Sequence, residues 1–344
     1  MNRTALKRIV GIGVLAAAAT AGWANGGPTD AFEQNRRLGR GVNILGYDPI
    51  WTSKENARFK DSYFRMIREG GFSSVRVNLH PFRHMDASHR LDEAWLATLD
   101  GVIRGAAEAG LMVILDLHEY NVMAADPVGN KPMFLAFWRQ IAPRYKDAPS
   151  SVLFEIMNEP AEKFTAPLWN AYFPEALAII RETNPGRTVV IGPASWNSLF
   201  ALGSLRLPPE DRNIIVTVHY YLPTRFTHQG ADWMPEFKDL SGVEWLGTDA
   251  ELGAIRKDFE ISRTWAEAEK RPILLGEFGA FEGAAMASRA RYTAAIARAA
   301  ESLGWSWAYW QFDSDFVLYD IDKETWVGPI HEALTGSKGD RHGY

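Results

Sequence analysis

A single-domain (β/α)8 barrel is the fold this sequence predicts, and two observations carry the prediction. Short β-rich runs recur along the chain, each followed by a helical stretch, and several runs are almost continuously apolar, such as MVIL at 112–115 and ILL at 273–275. Strands of that kind are covered on both faces, as in parallel sheets. The second observation is that the polar and aromatic residues gather where those runs end. That is where barrels of this class carry their function.

The candidate strands are 41–44, 74–78, 112–118, 152–158, 188–191, 214–221, 273–277 and 305–311. Amphipathic stretches at 56–68, 92–108, 132–145, 168–181, 250–269 and 288–303 fall between them. Gly70, Gly71 and Gly110 stand where helices should stop. The segment after Trp196 is a weaker helix, and the eighth, near 326–334, is short. A chain of 344 residues holds the roughly 250 such a barrel needs. The competing arrangement is an open doubly wound sheet. Against it, GVNILGYDPIW after the first strand has the wrong glycine spacing for a dinucleotide loop. The longest gap, 222–271, contains Trp233, Trp245 and Trp265 and reads as an insertion.

Arg3, Lys7 and Arg8 precede an apolar run from 9 to 21, and Gly22 and Ala24 flank Trp23. A charged segment, a short apolar segment and a small-x-small site make an export signal cleaved after Ala24. The alternative, an uncleaved anchor, would need about 20 apolar residues. The expected organisation is therefore a signal peptide at 1–24 and a catalytic barrel at 25–344, in a secreted or periplasmic protein. The chain has no cysteine, which excludes disulfides, thiolate metal sites and a cysteine nucleophile. A net charge of −5, with no basic stretch, speaks against nucleic acid. Thirteen tryptophans suit sugar stacking, but equally a large core.

The strand ends define a rim. Strand two ends in Arg76-Val77-Asn78, strand three in Asp116-Leu117-His118-Glu119 and strand four in Asn158-Glu159. Strand six ends in His219-Tyr220-Tyr221, strand seven in Glu277, and strand eight carries Trp310-Gln311. Strands four and seven face each other across a barrel mouth, so Glu159 and Glu277 would flank one bond. Glycoside hydrolysis needs that arrangement, with one carboxyl protonated and the other ionised. Opposed environments separate such pairs. Arg76 and Tyr221 are suited to hold one carboxylate ionised, and His219 to share a proton with the other. Trp310 would floor a sugar ring.

FEIMNEP, LLGEFGA, HYYLP and WAYWQF resemble the strand ends of glycoside hydrolase family 5, which includes cellulases and β-mannanases. The resemblance runs from residue 38 to about 334. GEFGAF, FTHQGADW and EIMNEP resemble the bacterial endoglucanase branch that also accepts mannan. It implies that Glu159 is the general acid/base and Glu277 the nucleophile of a retaining mechanism. It further implies that Asn158 binds the sugar 2-hydroxyl and that Arg76 and Tyr221 orient Glu277. His118 and His219 would lie near the scissile bond, and Trp310 would be the sugar platform. Two residues depart from the pattern. Glu119 stands where similar endoglucanases have a second histidine, and Gln311 where they have a glutamate. Both are expected at the rim, as sugar contacts that bear on substrate choice. Tyr47 and Trp51 in the first loop, and Trp233 in the insertion, are further candidate stacking groups.

The expectation is an endo-acting β-1,4-glucanase working on polysaccharide or oligosaccharide as a monomer, without cofactor, metal, nucleic acid or membrane. The alternatives are a β-mannanase or mixed glucan/mannan hydrolase, and a non-catalytic sugar-binding barrel. The presence of both glutamates argues against the last. A metal-dependent hydrolase lacks its His-x-His strand motif here.

Overall fold

The computed structural model describes residues 30–336, so the expected leader at 1–24 lies outside the described residues. Eight parallel strands close into a barrel in sequence order: β1 Arg40–Ile44, β2 Ser74–Leu79, β3 Met112–Leu117, β4 Val152–Glu155, β5 Val189–Ile191, β6 Ile214–Tyr220, β7 Ile273–Phe278 and β8 Ser306–Tyr309. Closure is made by β8 pairing with β1, Ala308 opposite Gly41. The helices follow the predicted order, with Glu93–Glu108, Pro127–Arg144, Ala166–Thr183, Asp249–Glu269 and Met286–Ser302 the long ones. The helix predicted at 132–145 begins earlier, at Pro127, where the missing proline N–H costs nothing in the first turn. After β5 there is only a 3-10 segment, Leu199–Ser204, and the last helix is short, Gly328–Thr335. No helix among the described residues is long and apolar enough to cross a membrane.

Side chains alternate between the barrel interior and the helical layer, as strand geometry requires. In β3, Val113, Leu115 and Leu117 join the large core outside the barrel. Met112 and Ile114 instead join a separate inner cluster with Leu153, Val190, Ile215 and Leu274. Ala31 and Leu38 of the helix Ala31–Leu38 complete that cluster and plug the barrel from below. The sequence reading did not anticipate this helix. Asp30 caps it by accepting the Phe32 N–H at 3.2 Å. Asn35 fastens it to the barrel by donating to the Ile273 carbonyl at 3.0 Å.

One storey higher the interior turns polar: Asn43, Arg76, Asp116, Glu155, Thr217 and Glu277 are all buried. Glu277 reaches this layer through a bulge. Thr217 pairs with Leu274 and Val218 with Leu275, but His219 pairs with Glu277, so Gly276 is the extra residue. A Cβ on Gly276 would sit 2.3 Å from Thr217 Oγ1 and 3.0 Å from His219 Nε2, so only glycine fits. The Gly-Glu of the strand-seven motif is thus one device, in which the glycine makes the room that re-aims the acid.

Candidate active site

Two strand ends build the acid pair. Backbone pairing continues past β4: Asn158 N–H donates to the Leu117 carbonyl at 2.9 Å, keeping the segment in line with β3. Glu159 then takes a left-handed backbone, φ 44°, a conformation that non-glycine residues adopt only when their surroundings enforce it. His219 provides part of that enforcement, its Nδ1 lying 2.6 Å from Glu159 Oε1. A ring nitrogen of His219 and one oxygen each of Glu159 and Glu277 lie within 4.8 Å of one another. The two carboxyls therefore approach closely enough to flank a single bond.

The two carboxyls have different partners. Glu277 Oε1 accepts from Arg76 at 2.8 Å and Oε2 from the Tyr221 hydroxyl at 3.0 Å. Hydrogen bonds and a cation of this kind favour the ionised form. Burial nevertheless pushes Glu277 up to about 7, with Glu159 adding to the rise and His219 and Arg76 opposing it. Burial pushes Glu159 higher, to about 8, with Asp116 and Glu155 adding to the rise against the pull of Arg76. Burial also lowers His219, so its ring is neutral at the Glu159–Glu277 boundary. Glu159 is therefore the group that keeps its proton and Glu277 the one that loses it first.

Arg76 is fully buried and works as a hub. It bonds Glu155 bidentately at 2.7 and 2.8 Å, Asn43 at 2.8 Å and Asn158 Oδ1 at 2.8 Å, and lies 3.1 Å from Asp116. The Asn158 bond settles that amide's orientation, so its nitrogen faces His118 Nε2 at 3.3 Å. His118 Nδ1 then pairs with Asp116 at 2.6 Å. Both His118 nitrogens are engaged within the protein, and burial holds the ring neutral. Trp310 lies parallel to His118, centroids 5.4 Å apart.

The other predicted contacts divide. Trp51 is buried against Trp95 at 5.5 Å and donates to the Leu45 carbonyl at 2.6 Å, so it packs the loop and offers no sugar surface. Glu119 is also buried. It accepts the Phe82 N–H at 2.6 Å, fastening the loop after β2, rather than presenting a free carboxylate to the cleft. Gln311 is buried and donates to Ser314 Oγ at 2.6 Å. Trp233 is exposed and meets Phe281 edge-on at 4.9 Å. Tyr47 is exposed beside His80.

The sequence reading missed Glu155, Asn43, Trp196 and Asn197. Glu155 and Asn43 carried a signal: a polar residue in an apolar strand needs a partner, and Arg76 in SVRVNL needed the same. Trp196 is half exposed beside the Glu159 loop, its N–H donating to the Pro160 carbonyl at 3.3 Å. No periodicity marks it.

Glu159, His219 and Glu277 are the one group among the described residues whose ligand-type atoms gather closely enough for a cation. Arg76 already supplies the counter-charge to Glu277, and His219 Nδ1 is taken by Glu159. The donor set suits proton transfer.

A family model described as Cellulase (glycosyl hydrolase family 5) matches residues 36–315. Endoglucanase H of Acetivibrio thermocellus is 29% identical over 318 residues, covering 89% of this chain and 33% of the relative. Endoglucanase 3 of Fibrobacter succinogenes is 24% identical, covering 83% of this chain and 51% of the relative. The chain thus spans between a third and about half of the length of these curated relatives. Among solved structures, endoglucanase Cel5A of Thermotoga maritima superposes with a TM-score of 0.84 at 39% identity, covering 89% of this chain and all of that one. The same enzyme has been solved with cellobiose and, at 38% identity to this chain and TM-score 0.84, with mannotriose. The chain belongs to the cellulase family, glycosyl hydrolase family 5.

Proposed function

We propose that this chain is an endo-acting β-1,4-glucanase that hydrolyses with retention of configuration. The observation that carries the reading is the pair Glu159 and Glu277, within 4.8 Å and held by opposite partner sets. In the first step a Glu277 oxygen bonds to the anomeric carbon. The bond from that carbon to the leaving oxygen breaks, and the proton of Glu159 passes to that oxygen. In the second step Glu159 takes a proton from water, the water oxygen bonds to the anomeric carbon, and Glu277 leaves as a carboxylate.

Asn158 has one amide hydrogen facing His118 and a second available to the sugar 2-hydroxyl, where bonds strengthen in the transition state. Arg76 and Tyr221 fix the nucleophile. Trp310 lines the ring bearing the reacting carbon, and the exposed Trp196, Trp233 and Tyr47 offer faces to more distant sugars.

A mixed glucan/mannan activity is the second reading, favoured by the similarity to a Cel5A solved with both cellobiose and mannotriose. The product profile on cellulose oligomers, mixed-linkage glucan and glucomannan separates the two. Mid-chain cleavage of the glucans supports the first; comparable rates on glucomannan and mannan support the second. No cleavage of any of them would leave only a sugar-binding barrel. The enzyme would act as an exported monomer, its leader ending at Ala24. N-terminal sequencing of the mature protein and its sedimentation coefficient check both points.

A further inference from the structure

The two histidines at the site are built alike. Each has a carboxylate at Nδ1, Asp116 for His118 and Glu159 for His219, both at 2.6 Å. Each has an asparagine amide at Nε2, both at 3.3 Å: Asn158 for His118 and Asn197 for His219. Asn158 is oriented by Arg76. Asn197 is oriented by packing. It is fully buried, and its Oδ1 is pressed against Gly192, where an added Cβ would lie only 2.1 Å away. Oδ1 has no hydrogen-bond partner among the described residues. Turning the amide over would place its two N–H donors against that glycine carbon. An unpartnered carbonyl is the milder defect, so the nitrogen faces His219.

The backbone holds this arrangement. Ser195, Trp196 and Asn197 have φ of 64°, 58° and 51°, three successive left-handed residues. Asn197 accepts the His219 N–H on its carbonyl at 2.9 Å, while the neighbouring Trp196 N–H is tied to Pro160, directly after Glu159. The loop thus grips His219 by backbone and side chain together.

We propose that Asn197 is a positioning residue that selects which oxygen of Glu159 carries the acid proton. By donating to His219 Nε2 it holds the neutral ring with its hydrogen on Nδ1. That hydrogen is donated to Glu159 Oε1, so Oε1 is an acceptor and the carboxyl proton resides on Oε2, free for the leaving oxygen. The inference rests on the reading of Glu159 as the general acid.

Asn197→Asp keeps size and backbone preference and, once ionised, can only accept at this position. His219 must then carry hydrogen on Nε2. A ring bare at Nδ1 would draw the Glu159 proton onto Oε1, away from the sugar; a doubly protonated ring would leave Glu159 ionised. Acid catalysis suffers either way. The charged and titratable groups facing Glu159 and His219, namely Glu277, Arg76, Asp116, Glu155, His118 and the phenols of Tyr47, Tyr120 and Tyr221, are unchanged by the substitution.

The test compares cellotetraose, whose leaving sugar needs the proton, with 2,4-dinitrophenyl cellobioside, whose leaving group does not. We expect Asn197→Asp to lower kcat/KM on cellotetraose by about 10–100-fold, part of what general acid catalysis supplies. The loss on the aryl substrate should be at least about ten times smaller, and the basic limb of the cellotetraose pH profile should move. Equal losses on both substrates would overturn the proposal. Asn197→Gly, which suits the left-handed backbone, should show the same bias more weakly. Nitrogen NMR of the unaltered chain needs no variant to fold: an unprotonated Nε2 on His219 supports the proposal, and a protonated one overturns it. A wild-type chain inactive on both substrates would instead sink the hydrolase reading, with the nitrogen assignment still readable.

Discussion

The lower and upper storeys of the barrel interior lie one above the other, two residues apart on β3 and β4, and they have opposite chemistry. Below, Met112, Ile114, Leu153, Val190, Ile215 and Leu274 fill the space, with Ala31 and Leu38 closing the bottom. Above, Asn43, Arg76, Asp116, Glu155 and Glu277 occupy the next inward positions. Ile114 and Asp116 are neighbours on one face of β3, as are Leu153 and Glu155 on β4. The lower storey stabilises the fold by burial alone. In the upper storey, among the described residues, one guanidinium touches the carboxyls of Asp116, Glu155 and Glu277, with Glu159 close by. One positive charge cannot balance so many negative ones. Burial accordingly raises Asp116, Glu155, Glu159 and Glu277 together, and protons are retained where water would have removed them. Burial, with too few cations in the upper storey to offset it, is therefore what keeps an acid protonated near neutral pH.

The largest effect should come from Glu277→Ala, which ought to lower kcat about 10⁴–10⁶-fold, the range for loss of a nucleophile or its close partners. Azide should restore part of the turnover and give a product of inverted configuration. Rescue of Glu159→Ala with inversion, instead, would exchange the two roles.

Arg76→Met and Ile114→Ala set one storey against the other. Removing Arg76 strands buried carboxylates, at a cost of about 3–5 kcal/mol, and should also abolish most activity. Ile114→Ala should cost about 2–5 kcal/mol as a cavity while leaving kcat within a few-fold. Thermal unfolding and kinetics on the same preparations separate the cases. A large fall in kcat for Ile114→Ala would mean that the lower storey also tunes the site.

The pH dependence follows from the raised pKa values. As pH falls through about 7, Glu277 takes up a proton and the nucleophile is lost. As pH rises through about 8, Glu159 gives up its proton and the acid is lost. kcat/KM should thus show a narrow bell near neutrality. Stability carries the opposite sign from an ordinary salt-bridged carboxylate. The folded chain holds protons that the unfolded chain has released above the usual 4.5, so stability declines between there and about 8. Glu159→Gln should consequently raise Tm at pH 9, with the gain vanishing as pH approaches 4.5. A gain independent of pH would contradict this origin.

The smallest effect belongs to the rim. Glu119 and Gln311 are tied to Phe82 and Ser314. Glu119→His with Gln311→Glu should cost about 1 kcal/mol per broken bond and shift the ratio of glucan to mannan efficiencies by less than about tenfold. A larger shift, measured on both polymers, would place these side chains on the substrate after all.

Much of this was legible in the sequence because strand ends announce themselves. Continuous apolar runs stop at Asn158-Glu159, His219-Tyr220-Tyr221 and Glu277, and the barrel order follows from their spacing. Gly276 was legible as part of a motif, but its role as the bulge residue depends on Thr217 and His219 from the neighbouring strand. Trp51 shows the converse: an aromatic in a rim loop reads the same whether it faces sugar or Trp95. Asn197 was invisible because its function lies in a left-handed loop and in two contacts with one residue 22 positions on, which leave no periodicity. The plugging helix was missed because only two of its residues, Ala31 and Leu38, enter the inner cluster.

The retaining double displacement is tested most directly by the configuration of the first product. Proton NMR in the opening minutes of cellotetraose hydrolysis, before mutarotation, reads the anomer at the new reducing end. The β-anomer should appear first, with the α-anomer growing in later at the mutarotation rate. Initial release of the α-anomer would mean direct attack by water, and would contradict a Glu277 nucleophile.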